Sequence, residues 1–128
     1  ENLGLTDQIK MFVSCVDQAT AKLIEEGTVA GGNDGISMAS YIASTLVLNA
    51  LQGNKILDPN GKVPRLSTHP MQVTKDNAAI YREIFFEQDS PFTEEMLQAL
   101  VAYGVTYQDY VDLVENLDLD FLIAANGK

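Results

Sequence analysis

Apolar and polar positions along the chain change their period once, near Thr74. Before it, short β-rich runs alternate with helical ones. IKMFVS, residues 9–14, reads as a strand bounded by polar residues. CVDQATAKLIEEG then carries Ala19, Leu23 and Ile24 at helical spacing, with Gly27 as a stop. TVAG, residues 28–31, predicts a minimal strand, GGNDG over residues 31–35 a loop, and residues 36–52 a second helix with Gly53 past its end. Strands alternating with helices predict parallel pairing through right-handed crossovers. LDPNGKVP reads as a turn, and Pro64 and Pro70 keep the following RLSTHPMQV extended.

After Thr74 the pattern is helical throughout. Thr74 is the expected cap of KDNAAIYREIFFEQ and Thr93 that of EEMLQALVAYG. Thr106 with Asp109 forms a capping box ahead of YQDYVDLVEN, and Asp118 starts a last short helix. The expected class is therefore α/β and helix-dominated: a small parallel sheet with flanking helices, followed by a helical C-terminal tail. One domain is expected, its strand and helix units in residues 1–73 and the helical extension in 74–128.

The run over residues 36–51 is shorter than the roughly 20 apolar residues a membrane span needs. It is also interrupted by Ser37, Ser40, Ser44, Thr45 and Asn49, and it reads as a buried helix. The net charge of −10 and the ten Asp or Glu residues without a Lys or Arg over residues 83–127 argue against nucleic acid or anionic lipid as partners. A single cysteine makes no internal disulfide and leaves the redox compartment open.

The Gly-rich stretch at 31–35 raises three readings. A phosphate loop is refused by its details: no Lys-Ser/Thr follows the glycines, no dinucleotide spacing is present, and Asp34 would repel the phosphate. A tight strand-to-helix turn explains the glycines alone. A loop at the carboxyl edge of a parallel sheet would instead present Asn33 and Asp34 to a small polar ligand, Asn33 donating and accepting at once as a vicinal diol demands. Cys15 ends the first strand at the same edge. With His69 as the sole histidine and no third orienting group at a recognisable spacing, a Cys/His hydrolase lacks support, and so does a metal site. Cys15 is expected as a small buried hydrophobe, His69 as a strand-packed or solvated imidazole. Tyr81, Phe85, Tyr103, Tyr107, Tyr110 and Phe121 are expected to pack.

The order of parts resembles a known family. VSCVD, QATAKLIEEGTV, AGGNDGISMASYIASTLVLNALQG and VPRLSTHPMQVTKDNAAIYREIF follow one another as in the C-terminal third of type I periplasmic sugar-binding proteins, the substrate-binding components of carbohydrate ABC transporters. The tail, SPFTEEMLQALVAYGVTYQDYVDLVENLDLDFL, is similar to an acidic helical extension in a Gram-positive subset. The resemblance implies part of a binding-protein lobe, with a first lobe outside this chain. It implies that Cys15 stands where the family commonly has an Asp or Asn bonding a sugar hydroxyl, and that Asn33 reaches into the cleft. By the same likeness, His69 and Met71 lie near the hinge between lobes.

The function implied is non-catalytic carbohydrate binding without a cofactor, in a cell-surface lipoprotein or periplasmic protein that serves an ABC transporter permease. Self-association into a homo-oligomer is expected of this chain alone. Two other classes stay open: the effector-sensing domain of a LacI-type transcriptional regulator, and a helical protein-interaction module.

Overall fold

The computed structural model describes residues 9–128. Its described residues form three strands and six helices: β1 (Phe12–Ser14), α1 (Gln18–Glu25), β2 (Gly31–Asp34), α2 (Ile36–Leu51), β3 (Met71–Val73), α3 (Ala78–Phe86), α4 (Glu94–Val101), α5 (Tyr107–Asn116) and α6 (Leu119–Ala125). They divide into two compact units. The first comprises residues up to Asp34 together with Pro70–Pro91; the second comprises Gly35–His69 and Phe92–Lys128. This division does not follow a boundary at residue 73, because β3 and α3 group with the early strands.

The first unit holds the sheet, in the order β1-β2-β3. β1 and β2 are parallel, with Phe12 opposite Gly31 and Ser14 opposite Asn33. β2 and β3 are antiparallel, with Gly32 opposite Val73 and Asp34 opposite Met71. The sheet is thus mixed, a correction to the parallel expectation. Along the chain, α2 and then an extended run containing Pro59, Pro64 and Pro70 separate β2 from β3, and the chain enters β3 in the opposite sense to β2.

The glycine stretch needs a larger correction, since it is the strand itself and residues 28–30 only lead into it. A Cβ on Gly32 would stand 2.6 Å from Val16 Cγ2 and 2.7 Å from Val13 Cγ2, and one on Gly31 would stand 3.1 Å from the Val73 carbonyl oxygen. The glycines therefore serve close packing across β2, where a side chain has no room.

α1 is capped by Asp17, whose Oδ1 accepts from Thr20 N at 2.7 Å. It stops as expected. Gly27, at φ +81°, donates to the Ile24 carbonyl at 3.0 Å while Thr28 N reaches the Leu23 carbonyl at 2.9 Å, the double closure that a left-handed residue permits. Its buried positions are Ala21 and Ile24; Ala19 and Leu23 face outward. α3 packs on α1, and Arg82 Nε lies 3.5 Å from Glu25 Oε2 between them. Thr74 does not cap α3. Its backbone N–H donates to Asn77 Oδ1 at 2.7 Å in a turn, and the helix starts after Asn77.

In the second unit α2 buries Met38, Ile42, Thr45 and Asn49, a stripe stepping by four, three and four residues. Ile36, Val47 and Leu51 are 59–79% exposed, so α2 is buried along one stripe and not all round. The stripe meets a buried polar chain. Asn49 Nδ2 donates to the Leu100 carbonyl at 2.7 Å and to the Tyr110 hydroxyl at 3.1 Å. That hydroxyl donates to Thr45 Oγ1 at 3.0 Å, and Thr45 Oγ1 donates to the Ile42 carbonyl at 2.8 Å. Each buried donor finds an acceptor, which ties α2 to α4 and α5 in one register. The caps at Thr93, Thr106 and Asp118 stand where the sequence puts them, including the Thr106 and Asp109 capping box. Tyr81 and Tyr110 are fully buried; Tyr103, expected to pack, is fully exposed.

Candidate functional site

The carboxyl ends of β1 and β2 bring the predicted residues together. β1 ends at Ser14, and Cys15 turns the chain away at φ +62°, a left-handed conformation that a non-glycine residue rarely adopts. Its N–H donates to the Asn33 carbonyl at 2.8 Å, continuing the parallel ladder one residue beyond the strand. The turn also puts Cys15 in solvent instead of the core, so the expected buried hydrophobe is an exposed thiol. Asn33 is exposed as well, and its side chain makes no hydrogen bond to a described residue.

Asp34 lies differently. It is half-buried, and the Tyr81 hydroxyl donates to its Oδ2 at 2.8 Å while lying 3.1 Å from the Val16 carbonyl oxygen. Burial pushes the Tyr81 phenol far above its ordinary range, and the bond to Asp34, the charges of Asp34 and Asp17, and the nearby Cys15 push it the same way. Tyr81 is therefore a neutral donor. Asp17 completes the edge, its carboxyl held below the usual range first by the Thr20 side chain and then by the Thr20 backbone N–H.

Sequence reasoning missed Asp17 and the hydroxyl of Tyr81. Tyr81 ends the segment VTKDNAAIY, residues 73–81, within the stretch that carries the family resemblance, but an aromatic ring at core spacing reads as packing until its hydroxyl partner is known. Asp17 gives no signal beyond a helix start.

His69 and Met71 do not share an environment. Met71 is buried in β3 opposite Asp34, whereas His69 is exposed on the extended run, and the division between the two units falls between His69 and Pro70. His69 makes no hydrogen bond to a described residue. Among the described residues no three His, Cys, Asp or Glu side chains group to hold a metal, and no helix is long and apolar enough to cross a membrane.

The arrangement offers a Cys15 thiol, an Asn33 amide with donor and acceptor both available, and an Asp34 carboxylate oriented by Tyr81. Groups of this kind can donate to and accept from a neutral polar molecule. Compared with protein-family models, curated proteins and solved structures, the chain matches none of them.

Proposed function

We propose that the chain binds a sugar or sugar-like solute at the carboxyl edge of β1 and β2, as part of the substrate-binding component of a carbohydrate ABC transporter. The observation that carries this reading is the adjacency of Cys15 and Asn33, joined by a 2.8 Å backbone bond at the edge where open α/β sheets take their ligands. Asn33 supplies the paired donor and acceptor that adjacent hydroxyls need, and Cys15 a weaker polar group. The proposal brings with it an extracytoplasmic location, as a cell-surface lipoprotein or in the periplasm, and a permease as partner.

Titration of the chain with pentoses, hexoses and inositols, followed by amide NMR at up to tens of millimolar, tests it. The expected result is movement of the Cys15, Asn33 and Asp34 amides by one class of sugar. Asn33→Ala should leave stability within about 0.5 kcal/mol of wild type, because the side chain is exposed and bonds no described residue. It should also abolish the movement. A panel that moves none of the three amides, or moves them equally in Asn33→Ala, sinks the reading.

A further inference from the structure

The second unit carries an open cavity of about 510 Å³ lined by Asp58, Asn60, Lys62, Val63, Arg65 and Tyr107. Its floor is the turn that the sequence marks as LDPNGKVP. Asp58 Oδ1 accepts from Asn60 N at 2.9 Å and Lys62 N at 2.8 Å, and Asp58 N donates to the Lys62 carbonyl at 2.8 Å. Of the lining residues, Asp58 alone carries a carboxylate, and its Oδ1 holds the turn.

The cations there form no ion pair with a described residue. Ion pairs among the described residues involve Lys22 and Arg82, not Lys62 or Arg65. The Asn60 side chain and the Tyr107 hydroxyl also make no hydrogen bond to a described residue. Four side chains with donors to offer thus line one concave space. Residues 55–65 hold Lys55, Lys62 and Arg65 against Asp58 alone, so this segment is positive within a chain of net charge −10. Solvated surface cations need no common cavity and no neutral donors among them, whereas an oxyanion is satisfied by this mixture: a guanidinium fork, an ammonium point charge, an amide and a phenol. The volume lies within the roughly 300 to 1,000 Å³ of small-molecule sites and is far larger than an isolated phosphate needs.

We infer that this cavity binds a small phosphorylated solute through its oxyanion, with Lys62 and Arg65 as the charged contacts and Asn60 and Tyr107 as neutral donors. The site is separate from the Cys15 and Asn33 edge and does not rest on the sugar-binding proposal.

Amide NMR titration of the chain with inorganic phosphate and with glycerol phosphate reads it directly. Both should give saturable shifts at Asn60, Lys62, Arg65 and Tyr107, with the monoester binding the more tightly. Lys62→Gln and Arg65→Gln should each weaken binding at least fivefold while the remaining spectrum stays as in wild type, since both side chains are exposed and pair with no described residue. Shifts that do not saturate, that spread equally to Lys10, Lys22 and Lys75, or that persist unchanged in the double variant overturn the inference. Sedimentation with anionic phospholipid vesicles separates the sources of phosphate: binding to vesicles without binding of the soluble monoester would also overturn it.

Discussion

The hydroxyl of Tyr81 donates to Asp34 Oδ2 at 2.8 Å, linking α3 to the end of β2 across 47 residues of sequence. The same hydroxyl is buried beside the Val16 carbonyl, so its removal takes one hydrogen-bond donor from the half-buried Asp34 carboxylate. Tyr81→Phe is expected to cost about 1 to 2 kcal/mol, read by urea unfolding. The pH dependence has a definite sign. The folded phenol titrates above its unfolded value near 10, so its contribution is complete below about pH 10 and is lost as pH rises further. Wild type should therefore lose stability above pH 10 more steeply than Tyr81→Phe, and parallel curves would remove Tyr81 from this role.

Gly32 is held by contact and not by a left-handed backbone, with Val13 and Val16 methyls at 2.7 and 2.6 Å from where a Cβ would stand. Gly32→Ala is expected to destabilise by about 1 to 3 kcal/mol, the range for forcing extra volume into a packed place. The denaturant midpoint checks this; an unchanged midpoint would mean that both valines move aside freely.

Asn49 donates from one amide to the Leu100 carbonyl and the Tyr110 hydroxyl. Asn49→Ala leaves both without that donor in a buried setting and is expected to cost about 2 to 3 kcal/mol. Hydrogen exchange should show the loss in amides of α2, α4 and α5. Full protection there in a variant of normal stability would deny the network its role.

Thr93→Ala and Thr106→Ala each remove a side chain that accepts from the third residue of its helix, and each should cost about 1 kcal/mol. Thr106 also holds the Asp109 carboxyl below its ordinary range, first through its hydroxyl and then through its backbone N–H. That depressed carboxyl favours the fold above its unfolded value, and the benefit is lost as pH falls through the folded one. Carbon NMR titration should show the Asp109 pKa rising in Thr106→Ala, with a shallower loss of stability in acid.

What the sequence by itself determined is local. The caps at Thr93, Thr106 and Asp118 and the stops at Gly27 and Gly53 depend on a side chain or a φ angle within a few residues, and the linear pattern holds all of that information. The meeting of Cys15 and Asn33 at one edge was also within reach, because parallel pairing of consecutive strands places both strand ends there. What only the tertiary structure decided depends on partners distant in the chain. The glycines at 31 and 32 form a strand instead of a loop because Val13, Val16 and the Val73 backbone crowd them, and no local signal separates a glycine that must turn from one that must be small. β3 runs antiparallel to β2 although the helix α2 lies between them in the chain, because the extended run after α2 brings the chain back in the opposite sense, which the alternation of strand and helix does not encode. The polar Thr45 and Asn49 lie inside while the apolar Val47 and Leu51 lie outside, since Tyr110 and the Leu100 carbonyl offer hydrogen bonds on one side of α2 and no described residue covers Val47 and Leu51 on the other. Hydrophobicity ranks residues for burial one at a time, but which face is covered is settled by what the rest of the chain places against it.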